Sequence, residues 1–204
     1  MKRTKSINLA RMRKAPALFK LKPIVLSIAA FSLVGCSDSR KADIYSSVDH
    51  CKKENPSSGT LCEKAYKKAL EKSEKSGPKY RSKYDCSSDF GRRNCIPYKA
   101  SNGANLYMPA VAAFALSRSF KKDEDEYQSS PLYTSHYYGS GFYNRWTTVD
   151  GRTYKKRYGS MTVGGDTFKS KPKVVKTMSR GGFGSTVAAK SNWGGRSSRS
   201  GWGG

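Results

Sequence analysis

Long apolar runs are missing from this chain. The two longest are Ile24–Gly35, twelve residues with two serines and no charge, and Leu106–Leu116, eleven residues. A helix that crosses a bilayer takes roughly 20 apolar residues, so neither run is expected to span a membrane. Histidine is nearly absent, with only His50 and His136. No two cysteines stand at Cys-x-x-Cys spacing, so no zinc site is expected, although His50 adjoins Cys51. There is no Walker-type phosphate loop and no nucleophile elbow, and Gly159–Gly165 lacks the strand–turn–helix context that a phosphate loop needs. These absences leave no catalytic residue, no cofactor and no metal ligand to expect. Leu, Ile, Val and Phe are scarce after Cys36, while Gly, Ser, Lys and Tyr abound. Such a chain is expected to bury a small core and to leave much of itself disordered.

Acidic residues are also absent from the first 37 positions, where eight lysines and arginines lie between Lys2 and Lys22. The apolar run follows and ends in Leu33-Val34-Gly35-Cys36. A basic head, a short apolar core and an aliphatic–small–cysteine ending form the pattern of a bacterial lipoprotein signal peptide. Residues 1–35 are therefore read as the signal, with lipidation at Cys36 and a lipidated tether over 36–42. No paired arginines precede the core, which argues against twin-arginine export. Ser37 after the cysteine favours the outer membrane, because Asp there is usual for inner-membrane retention. Past residue 35, 31 of the 39 basic residues face all 15 acidic ones, a net charge of +16. For an exported, membrane-tethered chain, the polyanions at hand are phospholipid headgroups, lipopolysaccharide and acidic wall polymers. Nucleic acid, the usual partner of so basic a chain, requires that export fail.

With Cys36 assigned to lipid, Cys51, Cys62, Cys86 and Cys95 remain, an even number that reads as two disulfides in an oxidising compartment. They stand in an internal repeat. Tyr45-x-Ser47-x-x-x-Cys51 and Tyr80-x-Ser82-x-x-x-Cys86 are each followed five residues on by a breaker, Pro56 or Gly91. Each copy predicts a short helix started by its serine. The repeat favours the local closures Cys51–Cys62 and Cys86–Cys95. The crossed pairing Cys51–Cys86 with Cys62–Cys95 stays open. Between the copies, Thr60-Leu61-Cys62-Glu63 reads as a capping box and Gly77-Pro78 as a stop, with Cys62, Ala65, Tyr66, Ala69 and Leu70 as the apolar stripe. Residues 43–97 are thus expected to form a helical four-cysteine domain.

Residues 98–130 are read as a loop, a short apolar helix over Leu106–Leu116 with Pro109 near its start, and an acidic run. That helix either packs on the domain or docks on a membrane. Residues 131–158 mix tyrosines with arginines and lysines, and Trp146–Tyr154 reads as a hairpin about Asp150-Gly151. Residues 159–204 are read as a Gly/Ser/basic disordered tail. The fold class expected is a small, mainly α, disulfide-stapled domain with one short β-hairpin and a large disordered fraction.

The N-terminal Met1-Lys2-Arg3-Thr4-Lys5-Ser6-Ile7, the lipobox, the cysteine frame, Met108-Pro109, Pro131-Leu132-Tyr133 and Arg180-Gly181-Gly182-Phe183-Gly184 together resemble the YgiB-like family of enterobacterial proteins. The resemblance implies no catalytic residues. Proximity of such relatives to glutathionylspermidine-synthase-like proteins implies a second reading, an accessory subunit or enzyme of envelope or thiol-polyamine metabolism. The first reading is a non-enzymatic envelope lipoprotein whose basic aromatic arm meets an anionic envelope component or membrane protein.

Overall fold

The computed structural model describes residues 39–117 and 127–192. The expected lipid carrier Cys36, the sorting residue Ser37, the acidic run before Tyr127 and the two Trp-Gly-Gly triplets lie outside the described residues. Among the described residues, eight strands and four α-helices follow in the order β1 (Ser39–Tyr45), α1 (Val48–Glu54), α2 (Gly59–Ser76), α3 (Lys83–Phe90), β2 (Cys95–Lys99), β3 (Asn105–Pro109), β4 (Ala113–Ser117), β5 (Gln128–Leu132), β6 (Arg145–Thr147), β7 (Thr153–Lys155), β8 (Gly159–Gly164) and α4 (Gly182–Asn192). The expectation of a mainly α domain with one hairpin is overturned. The strands make a four-stranded sheet ordered β5-β4-β1-β8 and two ribbons, β2-β3 and β6-β7.

Three corrections explain the difference. Leu106–Leu116 is not a helix; it supplies β3 and then β4. Every residue of β4 is buried, because β1 and β5 flank it and both faces are covered. A strand buried on both faces loses the alternation that marks strands, so its sequence reads like a buried helix. Residues 39–42, read as tether, open β1, which pairs antiparallel with β4 (Ile44↔Ala115) and β8 (Ala42↔Met161). The polar start Ser39-Arg40-Lys41 hides this strand, which is held by partners from Phe114 onward in the chain. The reading of the segment from 159 as tail fails as well over its described part, residues 159–192, which supplies β8 and α4. In β8, Met161 and Val163 point inward while Ser160 and Thr162 face out, the period of a half-buried strand.

The sheet carries two cores. On one face Ala42, Ile44, Ala113, Ala115, Leu132, Trp146, Met161, Val163 and Phe168 pack together. On the other, Tyr45, Phe114 and Leu116 meet Cys51, Cys62, Ala65 and Ala69 of α1 and α2. The buried face of α2 continues through Ser73 and Ser76. Its small side chains let the helix sit close to the sheet, while Leu70, expected in the stripe, stands at the exposed edge. The capping box does not form: α2 begins at Gly59, after a turn of 3₁₀ helix at Pro56–Ser58, and Glu63 instead pairs with Lys52 of α1. A third core is aromatic and surrounds Phe90, with Tyr80, Tyr133, Phe142 and Phe183. The hairpin β6-β7 forms with Thr147 opposite Thr153, so five residues rather than two make its loop.

Candidate functional site

Both repeat copies fold as capped helices. The Ser47 hydroxyl accepts from the His50 amide, and the Ser82 hydroxyl from the Asp85 amide. Disulfides join Cys51 to Cys62 and Cys86 to Cys95, with Cα atoms 5.8 and 6.0 Å apart. The repeat has a further regularity that the spacing did not disclose. In each copy the tyrosine ahead of the helix reaches a side chain in or just past the helix's last turn. Asn55 Nδ2 donates to the Tyr45 hydroxyl at 3.0 Å, and the Tyr80 hydroxyl donates to Asp89 Oδ2 at 2.7 Å. The histidines are apart in role. His50 Nδ1 accepts from the Ser46 amide, and His136 lines a depression beside Arg92 and Arg93. No cluster of metal-ligating side chains occurs among the described residues.

Asp89 is a carboxylate buried at the junction of α3 and α4. It is 3% exposed, and besides Tyr80 it accepts from the amides of Phe183 (3.3 Å) and Gly184 (3.2 Å) in the first turn of α4. A carboxylate there satisfies amides that have no partner within their own helix and lies at the positive end of the helix dipole. Burial raises the Asp89 carboxyl above its ordinary range, and the Tyr80 hydroxyl and the two amides oppose that shift. Burial likewise raises the Tyr80 hydroxyl, with the Asp89 charge adding to it. The Arg180–Gly184 motif now has a physical reading. Phe183 drops into the aromatic core, its ring 5.2 Å from that of Phe90. At Gly184, a Cβ would stand 3.2 Å from Asp89 Oδ1, so glycine leaves room for the carboxylate.

Outside this junction α3, α4 and the loop after β5 enclose an open groove of about 830 Å³. Its walls carry Arg92, Arg180, Tyr84 and Tyr137. Arg180 donates to the Tyr84 hydroxyl at 3.0 Å and lies over that ring. Tyr84 and Tyr137 are 66% and 52% exposed, enough to offer ring faces to a ligand. Asp89, the one carboxylate among the described lining residues, is engaged behind the wall by Tyr80 and α4. A second depression of about 590 Å³ adjoins at Arg92 and Tyr137 and adds Arg93 and His136. Arginine guanidinium groups beside exposed tyrosine rings suit an anionic ligand with flat or sugar-like faces.

The tyrosine-rich stretch is therefore not a loose arm. Tyr133 and Trp146 are fully buried, Tyr133 bonded to Ser73 (2.8 Å), while Tyr137, Tyr138, Tyr143 and Tyr158 face outward. The apolar run at 106–116 is spent on β3 and β4, and among the described residues no helix is long and apolar enough to cross a membrane. Sequence reasoning missed Asp89 and Arg92. The signal available for Asp89 was its place within the second repeat copy, at the end of the helix that Tyr80 precedes.

Residues 39–194 match the family described as "Protein of unknown function (DUF1190)". The chain is 32% identical over 211 residues to a UPF0441 protein of Serratia proteamaculans, covering 94% of this chain and 93% of that one. It is 34% identical over 200 residues to a UPF0441 protein of Sodalis glossinidius, with 92% of each covered. A UPF0441 protein of Yersinia pestis is 31% identical over 213 residues, covering 94% of this chain and 92% of that one. No solved structure matches. The aromatic junction, the cysteine frame and the arginine groove all fall within the matched span, and this chain belongs to the DUF1190 (UPF0441) family, the YgiB-like proteins of enterobacteria.

Proposed function

We propose that this chain is a non-enzymatic cell-envelope lipoprotein, anchored by lipid at Cys36 on the periplasmic side, with the outer membrane favoured. In this reading it binds an anionic envelope polymer through the groove between α3 and α4. The observation that carries the binding role is the groove itself, where Arg92 and Arg180 stand beside open tyrosine rings and the one lining carboxylate is already engaged. Support for the compartment is the basic head, short apolar core and cysteine ending of the first 36 residues. The two disulfides agree with an oxidising surrounding. A lipid anchor holds the fold at the membrane, and the net basic surface draws polyanions to it.

The test has two arms. Intact mass of wild type against Cys36→Ala reads the anchor: the wild type carries the added lipid mass, and equal masses contradict it. Affinity for lipopolysaccharide against a neutral dextran reads the groove. Replacing Arg92 and Arg180 together by Gln should weaken the lipopolysaccharide complex by about tenfold or more, the scale of losing charge-assisted hydrogen bonds. Unchanged affinity in that variant contradicts the assignment of the groove.

A further inference from the structure

A second cationic site lies away from the arginine groove. Between α2, the start of β5 and the segment after β8 is a cavity of about 320 Å³. Lys68, Lys72, Lys75 and Lys171 line it, and Glu71 is the one acid among its described lining residues. Lys72 Nζ donates to the Thr167 carbonyl at 2.8 Å, and Lys68 Nζ to the Tyr127 carbonyl at 3.3 Å. Neutral carbonyls hold these amines without cancelling their charge. Lys171 lies 3.7 Å from Asp150, but that carboxylate also serves Arg152 (3.7 Å) and Lys190 (3.2 Å) and accepts from the Thr148 hydroxyl. Among the described residues the cavity therefore keeps an excess of positive charge. Burial lowers Lys72 to about 8, and the charges of Lys171 and Lys68 push it the same way while Asp150 opposes them. Gathering like charges at a half-buried place costs stability unless an anion joins them. At the cavity's edge the Ser129 hydroxyl is buried and has no hydrogen-bond partner among the described residues.

Position narrows the occupant. β1 and β5 run in the same direction, both antiparallel to β4, so both start at one end of the sheet. Arg40 of β1 donates to the Gln128 side chain at 3.1 Å across that end. Two residues separate Cys36 from Ser39, three Cα–Cα steps that span at most about 11 Å. A lipid on Cys36 thus brings this end of the sheet to the headgroup layer. We infer that the Lys68–Lys72–Lys171 cavity takes the phosphate of an anionic lipid headgroup in the membrane that holds the anchor. This inference rests on the lipid-anchor reading for its geometry and is independent of the arginine groove. Basic pockets next to an anchor are a common means of holding anionic headgroups, and a second contact of this kind steadies and orients a tethered domain.

The experiment uses the chain from residue 36 onward, the form left by signal removal, with Cys36→Ala, so that the cavity is read without the lipid and without the basic, apolar signal. Sedimentation with phosphatidylglycerol vesicles is compared with phosphatidylcholine vesicles, and amide shifts are followed in titrations with glycerol 3-phosphate and inorganic phosphate. Lys72→Gln with Lys171→Gln should weaken phosphatidylglycerol binding by about tenfold. Lys64→Gln with Lys67→Gln, which removes as much charge from the exposed face of α2, should change it less than twofold. Glycerol 3-phosphate should shift the amides around Lys72, Ser129 and Lys171. Amide spectra of both double variants check that they fold alike. Equal losses in the two double variants would mean diffuse attraction to a basic surface and overturn the inference. Shifts with inorganic phosphate but none with vesicles would make the site one for a free phosphate and overturn the lipid assignment. A variant with Asp123, Glu124, Asp125 and Glu126 as amides is titrated in parallel. Phosphate binding seen only in that variant would overturn the inference too, since the chain's own acids would then serve the lysines. Loss on Arg92→Gln with Arg180→Gln alone would point to the groove, so failure here and failure of the groove assignment are separable.

Discussion

The two repeat copies begin alike and end differently. Each has a tyrosine, a capping serine, a helix with an acid in its first turn and a disulfide to a cysteine close by. In the first copy the hydrogen bonds at the end of the helix stay local: Asn55 bonds to Tyr45 and to the Cys51 carbonyl, all within eleven residues. The second closes on the far end of the chain. Asp89 takes the place of the neutral amide, and Phe90, next to it, is fully buried among Tyr80, Tyr133, Phe142 and Phe183. A buried carboxylate needs more donors than its own unit supplies, and the first turn of α4 provides them. Local code sets the helix and the staple; both units pack on distant parts of the chain, and they differ in whether the polar group in or just past the last turn is satisfied locally or by a distant helix.

The largest difference should appear on removing that polar group. Asp89→Ala leaves the Tyr80 hydroxyl and two helix amides without an acceptor in a buried place, which costs about 3–5 kcal/mol. Asn55→Ala removes one part-buried hydrogen-bonding group of the first unit and costs about 1 kcal/mol. Urea unfolding of both variants checks the contrast, and equal costs would dissolve it.

The staples should differ in reach more than in strength. Replacing Cys86 and Cys95 by Ser should lower stability by roughly 2–3 kcal/mol, the scale for a loop this short. Hydrogen exchange should quicken in α3 and α4 and leave α2 protected. Replacing Cys51 and Cys62 should quicken α1 and the start of α2 and spare α4. Non-reducing peptide maps should recover Cys51 with Cys62 and Cys86 with Cys95.

A smaller effect comes from the lysine between the two units. Lys79 is 3% exposed, and its Nζ donates to the Ser73 and Gly77 carbonyls. Burial holds it down to about 8, with Glu74 opposing, against about 10.4 in an unfolded chain. Between these values the unfolded chain binds a proton that the folded one has released, so stability rises with pH there and is lost as pH falls through 8. From pH 7.5 to 9.5 the gain should be about 1–2 kcal/mol, and Lys79→Met should reduce it. Lys72, lowered for the same first reason, adds in the same direction. Above about pH 10 the buried hydroxyls of Tyr80 and Tyr133, raised by burial, reverse the trend.

The parts of the fold legible in the sequence were those set by neighbours in the chain. Ser47 and Ser82 announce their helices, Gly77-Pro78 ends α2, and Asp150-Gly151 marks the bend of the hairpin. What stayed hidden depends on partners far away. Ser39-Arg40-Lys41 gives no sign that Ala42 and Ile44 will lie at the centre of a sheet. The unbroken apolar run of β4 looks helical because both its faces are covered. β8 and α4 lie in stretches whose glycines and serines resemble a loose tail, yet Met161, Val163, Phe183 and Val187 are enough to fix them. At the site, the glycines of Arg180–Gly184 were visible and their reason was not, because Asp89 stands about 95 residues earlier.

Whether the second unit's junction with α4 builds a surface that binds polyanions is the central question. Amide hydrogen exchange of the full chain with and without lipopolysaccharide reads this directly. Slowed exchange is expected at Ser88–Asn94, His136–Gly141 and Arg180–Ser185, with α1 unchanged. Slowing spread evenly over the basic surface, or confined to α1 and the first disulfide loop, would contradict polyanion binding at the junction.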